Sequence, residues 1–280
     1  MEVMRSSARR PPASPGAAVA AIFEHRALIR QLAVRDVLGR YKGSILGIGW
    51  SLFNPILMLV VYTFVFSVVF RAKWGSGPTE STVDFGLILF VGLMVHGLFA
   101  ELATRAPALI LGNVNLVKKV VFPLEVLPVV ALCSALFHLA ISFLVFLVAM
   151  LLYAGTLHPT IALFPIVMAP LAIALLGLGW LLASLGVFLR DVAQTTGIVT
   201  TVLLFLSPVF YPASALPVAY QPLFFLNPLT FIIEQAREVV IWGRQPDWIG
   251  LGVYTVSAIT VAAAGFWWFQ RTRRGFADVV

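Results

Sequence analysis

The sequence predicts an all-α membrane protein: six transmembrane helices, an N-terminal amphipathic interface helix, and outer re-entrant helices before the last span. Two observations support this class. Of 280 residues, 60% are hydrophobic and only 11% are charged, whereas a soluble domain carries about 25% charged residues. Apolar runs that reach the length needed to cross a bilayer, about 20 residues, recur between short basic segments.

The elements follow from composition in chain order. Residues 1–16 are rich in Pro, Ser and Arg and predict a disordered tail. Residues 17–43 alternate apolar and charged positions, which predicts an amphipathic helix that lies along the membrane surface, followed by its linker. A six-span domain over residues 44–270 and a basic tail over residues 271–280 follow. The predicted spans are about 44–70, 85–103, 121–153, 160–189, 195–213 and 249–269, with a short helix at 112–119.

The segment 214–247 is too polar to span a membrane and too apolar for an ordinary loop. We interpret it as short helices that dip into the outer leaflet, with Pro217, Pro222 and Pro228 as breaks between them. A hairpin that lies on the membrane surface is the alternative. Both interpretations place this segment on the outer side.

The orientation follows from the basic residues. With an inner amino terminus, fifteen of the nineteen Lys and Arg residues fall in inner segments. The positive-inside rule then places both termini in the cytoplasm. The net charge of +7 does not indicate nucleic-acid binding, because the basic residues lie between apolar spans and form no aromatic–basic surface.

Several chemical signals are missing from the sequence. It contains no phosphate-binding glycine loop and no cluster with metal-ligand spacing, so we expect no catalytic residue, metal or cofactor on this chain. The span centres carry almost no ionisable groups, since Glu101 and Arg105 lie near a predicted span end. His96 and His138 are interpreted as packing or hydrogen-bonding residues rather than proton relays. A carrier without internal relays predicts an energy source on a partner.

Aromatic residues form two stripes. Tyr62, Phe66 and Phe70 recur at four-residue spacing in the first span, which places them on one helix face. Such a face can stack on sugar rings and let a polymer slide; core packing or an interfacial aromatic belt is the alternative. The complete predicted polymer path is Trp50, Phe53, Tyr62, Phe66, Phe70, Phe205, Phe210 and Tyr211.

Two further patterns lie on the cytoplasmic side. Gly39, Gly43 and Gly47 recur every four residues, a spacing that permits close helix approach. The short helix at 112–119 suits insertion into a groove on an ATPase. Anchoring of the adjacent span to anionic lipid headgroups by Lys118 and Lys119 is the alternative.

Several runs together resemble one family. They are RDVLGRYKGSILGIGWSLFNPILMLVVYTFVFSVVFR (35–71), FLRDV (188–192), LSPVFYP (206–212) and LNPLTFIIEQAREVV (226–240). They resemble the permease subunits of bacterial polysaccharide ABC exporters, in the branch that handles O-antigen and teichoic acid. The likeness extends from about Ala21 to the carboxyl-terminal tail.

The resemblance implies a homodimer in the bacterial inner membrane, bound to two copies of a cytoplasmic ATPase that carries ATP and Mg. It implies an undecaprenyl-pyrophosphate-type lipid-linked glycan as cargo. The residues that it assigns to the lipid-pyrophosphate gate are Arg40, Tyr41, Lys42, Leu46 and Gly47. Those that it assigns to the ATPase interface are Arg30, Arg35, Asp36, Asn113, Asn115, Lys118 and Lys119.

Three alternatives stay open at the level of sequence. Related ABC permeases export teichoic acid or capsule, and others move small lipids or drugs. A self-sufficient secondary carrier or channel is a third class, which the nearly uncharged span centres disfavour.

Overall fold

The computed structural model describes residues 15–70, 74, 82–119, 122–155, 157–212, 215 and 221–279. The predicted disordered tail lies almost wholly outside these residues, and the first helix already begins at Pro15. The described residues form helices and connecting turns. The α-helices are α1 Pro15–Glu24, α2 Arg26–Tyr41, α3 Gly49–Tyr62, α4 Thr82–Arg105, α5 Val114–Lys119, α6 Val126–Ala154, α7 Phe164–Phe188, α8 Asp191–Leu206, α9 Gln221–Leu226, α10 Pro228–Val240, α11 Trp248–Thr272 and α12 Phe276–Val279.

Five helical segments in the described part of the chain are long and apolar enough to cross a membrane. They match five of the six predicted spans: Gly49–Val69, Phe85–Ala108, Val126–Ala154, Pro159–Phe188 and Trp248–Val279. The remaining predicted span corresponds to α8, which has 16 residues and a length of about 24 Å. It ends at Leu206 because Pro208 follows, and a residue before proline disfavours helical geometry. The six-span count therefore stays a prediction.

The first span begins later than the sequence predicted. Gly43 and Gly47 adopt positive φ values of 87° and 51°, which glycine tolerates and a continuing helix does not. These turns delay α3 to Gly49, and after Tyr62 the helix widens into a π-helical stretch over Thr63–Val69. A Cβ atom built on Gly43 or Gly47 would meet no atom of this chain within 4 Å. Gly43 and Gly47 thus serve turns, and no described helix of this chain packs closely against them; close packing against another chain stays a prediction.

The amphipathic segment is divided into α1 and α2, with a bend at His25 (φ −97°, ψ 16°). Ile29 and Val37 are buried, whereas Arg30 and Arg35 are exposed. The helix thus turns an apolar face toward the bundle, where α2 packs on α6. Its function as an interface helix stays a prediction.

Burial differs sharply between the first two spans. In the most apolar window of α4, 78% of residues are buried, against 11% in the α3 segment. The α4 helix is therefore the central helix, and α3 presents most of its surface outward. On the far side, α7 and α11 approach so closely that a Cβ on Gly265 would lie 2.0 Å from the carbonyl oxygen of Gly177. Only glycine fits at this crossing.

The segment before the last span forms α9 and α10. Pro222 and Pro228 stand in the first turns of these helices and so begin them rather than break them. The Asn227 side chain caps α10 by accepting from the Leu229 amide at 2.9 Å. Most of α10 is buried beside α4 and α7. This helix is therefore packed into the bundle, in contrast to a hairpin that lies on a surface.

The basic tail is part of the folded structure. After α11 the chain makes one turn and forms α12, whose Phe276 is fully buried against Phe269 at 5.4 Å between ring centroids. Arg273 donates to the Glu125 carboxylate at 2.7 Å. The tail thereby closes against the start of α6.

Candidate functional site: a polar cavity and an aromatic cluster

A cavity of about 560 Å³ lies between α3, α4 and α6. Its wall combines aromatic and ionisable side chains, an unusual set for the interior of an apolar bundle. Its members include Arg40, Tyr41, Trp50, Asn54, Met58, Tyr62, His96, Glu101, His138 and Ser142. We call this space the polar cavity.

Four side chains on the polar cavity form one hydrogen-bonded chain. Arg40 is ion-paired with Glu101, and His138 Nδ1 lies 3.1 and 3.0 Å from the two Glu101 carboxylate oxygens. An ionised carboxylate only accepts, so Nδ1 is the donor. In a neutral imidazole, Nε2 then accepts from the Tyr41 hydroxyl at 3.0 Å. Glu101 is thus the acceptor on which groups from α2 and α6 converge.

Arg105 extends this network toward the surface. Its Nη2 donates to both Asp36 oxygens at 2.8 Å, while its Nη1 lies 3.6 Å from Glu101 Oε1. Burial would raise the pKa of Asp36, but the nearby Ser134 hydroxyl and the Arg105 guanidinium outweigh it and hold that pKa below its usual value. We call Asp36, Arg40, Tyr41, Glu101, Arg105 and His138 the charge network.

The structure brings two of the five predicted gate residues to the cavity. Arg40 and Tyr41 are on its wall, where Arg40 already has an anionic partner. Lys42 and Leu46 are exposed, and Gly47 is half-buried in the turn before α3. These three residues lie in the loop that joins α2 to α3.

The two predicted aromatic stripes meet. Tyr62 and Phe66 of the first span stack with ring centroids 6.2 Å apart, and Phe66 stacks on Phe210 at 5.3 Å. Phe205 lies 5.6 Å from Phe210. Tyr62 also lines the polar cavity, so the aromatic cluster is continuous with it.

The other predicted path residues stand at the edges of this cluster. Trp50 lines the cavity and meets Phe53 edge to face at 5.4 Å. Phe70 lies 5.7 Å from Phe66 and is 67% exposed. The Tyr211 hydroxyl donates to the Phe205 carbonyl at 2.5 Å, which fixes its ring beside α8.

The predicted ATPase-interface residues divide into two groups. Arg30, Arg35, Asn115 and Lys118 are exposed, so a partner can reach them. Asp36 is bound to Arg105, and the Asn113 amide donates to the Leu109 carbonyl at 2.8 Å. The side chains of Asp36 and Asn113 are therefore bound to other groups of this chain. The side chain of Lys119 lies outside the described residues.

A second arginine, Arg237 of α10, occupies a different environment. It is fully buried, and its guanidinium donates to the carbonyl oxygens of Ile88, Pro208 and Val209 at 3.1, 2.6 and 3.2 Å. The ring of Trp74 covers it at 4.1 Å. Arg237 therefore fastens α10 to α4 and to the turn after α8.

Sequence reasoning missed Glu101 and His138 as members of the site. Glu101 lies near a predicted span end, and His138 is interpreted as a packing or hydrogen-bonding residue, so the sequence predicts neither as part of a site. A usable signal was present: Glu101 and Arg105 are four residues apart on one face of a helix that carries no other Asp, Glu, Lys or Arg after Asp84. The contacts of Glu101 with Arg40 and with His138 join different helices, so no local sequence pattern predicts them.

Long apolar helices around a polar cavity and an aromatic cluster are the architecture expected of a membrane protein. The chain belongs to the ABC-2 type transporter family, whose model matches residues 27–241. This match confirms the resemblance drawn from the sequence motifs.

Named relatives cover almost the whole chain. The O-antigen export system permease protein RfbA of Myxococcus xanthus is 27% identical over 92% of this chain and 97% of its own length. The protein of the same name from Klebsiella pneumoniae is 25% identical over 88% of this chain and 92% of its own length. The polysialic acid transport protein KpsM of Escherichia coli is 22% identical over 85% of this chain and 90% of its own length.

Proposed function

We propose that this chain is the membrane-spanning permease subunit of an ATP-driven exporter of lipid-linked O-antigen polysaccharide. The observation that carries the proposal is the end-to-end similarity to two proteins named as O-antigen export permeases. The aromatic cluster between Tyr62 and Phe210 supports it, because rings stack on sugars without fixing one sequence of them. The cargo is therefore a long, repetitive glycan.

The proposal includes a homodimer. Within this chain, only 11% of the most apolar window of the first span is buried, and Trp50, Phe53 and Phe70 are 42%, 45% and 67% exposed. In a dimer, such a face meets either lipid or the second copy. We place the glycan path between the two copies, along the exposed aromatic side chains of α3 and α8.

The energy source is a separate ATPase, bound as two copies below the dimer. The exposed residues Arg30, Arg35, Asn115 and Lys118 support this arrangement, since they offer charge and hydrogen bonds on α2 and α5. Closure of the ATPase on ATP pushes these two helices and advances the glycan. The protein resides in the bacterial inner membrane with both termini cytoplasmic, α8 as its fifth span, and α9 and α10 re-entrant from the outer side.

The lipid-linked end of the cargo enters at the polar cavity. Its undecaprenyl pyrophosphate carries negative charge, and guanidinium–phosphate pairs are strong charge-assisted hydrogen bonds. Arg40 and the Tyr41 hydroxyl supply donors at the cavity wall, and Lys42 adds positive charge on the adjacent loop. The polyprenyl tail stays in the bilayer beside α3.

Capsule is the second candidate cargo, favoured by the 22% identity to the polysialic acid transport protein. Deletion of the gene in its host separates the candidates. Loss of surface O-antigen with accumulation of lipid-linked glycan inside the cell supports the proposal, and loss of capsule alone supports the second candidate. Unchanged surface glycans would exclude both.

A further inference from the structure

We infer that Glu101 is an exchangeable counter-anion: it occupies Arg40 in the absence of cargo, and an incoming phosphate displaces it to Arg105. The inference rests on the proposed function and explains how the availability of Arg40 to the cargo phosphate is regulated. Neither Glu101 nor His138 entered the predicted gate. Both are members of the polar cavity wall.

The first step is competition for Arg40. Its guanidinium is paired with Glu101 on the cavity wall, so a phosphate that binds Arg40 must share or replace that carboxylate. Two anions on one guanidinium repel each other, and the repulsion is stronger in this partly buried site than in bulk water. Arg40 is therefore neutralised until a stronger anion arrives, since phosphate offers more acceptor oxygens and more charge.

The second step is a place for the displaced carboxylate. Arg105 Nη1 is buried and has no hydrogen-bond partner among the residues that the structure describes. It lies 3.6 Å from Glu101 Oε1, four residues along the same helix. A small rotation of the Glu101 side chain brings it within hydrogen-bond distance. A buried donor without a partner is costly, so the new contact offsets part of the loss at Arg40.

His138 keeps the carboxylate from leaving the network. Its Nδ1 donates to both oxygens of Glu101, and the rotation toward Arg105 preserves one of these bonds. The Tyr41 hydroxyl, which donates to His138 Nε2 when the imidazole is neutral, is next to Arg40 in the chain and becomes a second donor to phosphate. The exchange thus makes Arg40 available to phosphate, while the Glu101 carboxylate keeps hydrogen-bond partners in Arg105 and His138.

The exchange also reports cargo to α2. Arg105 holds Asp36 of α2 through its Nη2, and a second carboxylate on the same guanidinium weakens that hold. Occupancy of the cavity by phosphate therefore loosens the bond between α4 and the amphipathic helix. Through this bond, α2 responds to bound cargo before the ATPase hydrolyses ATP.

The test uses the whole transporter, this chain with its ATPase, in lipid nanodiscs. Binding of a synthetic polyprenyl-pyrophosphate-linked disaccharide is measured, with the same polyprenol lacking phosphate as the uncharged control. Glu101→Gln keeps the shape and removes the competing charge, so the dissociation constant of the pyrophosphate lipid falls about tenfold. Glu125→Gln is the matched control, because it neutralises another partly buried Glu–Arg pair, with Arg273, outside the cavity; it leaves affinity unchanged.

A second variant tests the receiving group. Arg105→Lys keeps a charge for Asp36 but loses the planar guanidinium and its second nitrogen. It weakens binding about threefold in the wild-type chain and has no effect in the Glu101→Gln background. An equal effect in both backgrounds, or weaker binding in Glu101→Gln, would overturn the exchange.

The outcomes also separate this inference from the proposed function. If wild type binds the pyrophosphate lipid and Glu101→Gln binds it equally well, only the exchange fails. If the folded, ATP-hydrolysing wild-type complex binds neither the pyrophosphate lipid nor the natural lipid-linked glycan, the proposed function fails with it. Thermal unfolding of each variant excludes loss of folding as the cause.

Discussion

Two arginines contact the central helix α4 at opposite ends, and their surroundings are unlike. Arg237 bonds to the carbonyl of Ile88 near the start of α4, and Arg40 pairs with Glu101 near its end. Thirteen residues of helix separate the two contacts, about 20 Å. Arg237 is fully buried among backbone carbonyls, whereas Arg40 stands on a cavity wall opposite a side chain that can rotate.

The difference lies in the backbone acceptors, which bind Arg237 in addition to the Glu234 carboxylate at 3.3 Å. A carbonyl of a packed helix or turn cannot move without unfolding its segment, so the three carbonyl partners of Arg237 are fixed. A carboxylate on a flexible side chain can exchange partners at little cost, and Glu101 has a second guanidinium 3.6 Å away. The Arg237 end is consequently built for rigidity and the Arg40 end for exchange.

The largest expected effect is at the rigid end. Arg237→Met removes the donors of three buried carbonyls and the cation over Trp74. We expect a loss of about 3–5 kcal/mol in the free energy of unfolding. Thermal unfolding of the purified chain in detergent, together with its yield from membranes, measures this loss.

Arg244→Met is the control for that prediction. Arg244 is on the same side of the bundle but is 72% exposed, with Glu238 at 3.6 Å. Its replacement changes stability by less than about 1 kcal/mol. If Arg237→Met unfolds no earlier than Arg244→Met, the carbonyl contacts are not structural and the contrast between the two ends is lost.

The second effect concerns transport rather than folding. Arg40→Met removes the cavity cation, so export of the glycan by the reconstituted complex falls at least about tenfold. Stability changes by less than about 1 kcal/mol, because the side chain is partly exposed at 31%. Export rate and unfolding temperature of the same preparation check both statements, and a large drop in stability would place Arg40 with Arg237 as a structural residue.

Sequence reasoning predicted the spans, the aromatic stripes and the basic stretch Arg40–Lys42 because each depends on local patterns. Apolar runs, four-residue spacing and charge position need no knowledge of neighbours in space. The π-helical stretch after Tyr62 was not predicted, because helix packing decides it. The end of α8 at Leu206 was missed although Pro208 marks it in the sequence.

The charge network was predicted only by half for the same reason. Arg40 and Tyr41 belong to a recognisable run, but their partners Glu101 and His138 lie 61 and 97 residues away. Arg237 lies in the segment 214–247 that the sequence places on the outer side, and its three carbonyl partners carry no side-chain signature. Contacts to backbone atoms leave no trace in the residue types.

A third effect tests whether the aromatic cluster belongs to the rigid or the exchangeable end. Phe66 stacks on Phe210, the residue that follows the Val209 carbonyl bound by Arg237. Phe66→Ala removes the stacking surface, and Phe66→Leu keeps its apolar bulk. We expect export to fall about threefold in both variants, since stacking on sugar needs a ring.

Stability distinguishes the two substitutions. Phe66→Ala lowers the free energy of unfolding by about 2–3 kcal/mol, and Phe66→Leu by less than about 1.5 kcal/mol. Normal export by Phe66→Leu would mean that the ring serves packing, and the cluster would join the rigid end. Unfolding in detergent and glycan export in vesicles provide the two measurements.

The smallest effect is a pH dependence at Asp36. Its pKa is lowered in the folded chain, so the contribution of Asp36 to stability is present above its unfolded pKa and is lost as pH falls through the folded value. We expect wild type to lose up to about 1 kcal/mol more stability than Asp36→Asn on acidification from about pH 6 to below pH 4, because the pair with Arg105 is partly exposed. Unfolding temperatures measured across this range check the difference. Parallel pH profiles for the two proteins would mean that the Asp36–Arg105 pair does not stabilise the fold, and this pair could then not report occupancy of the cavity to α2.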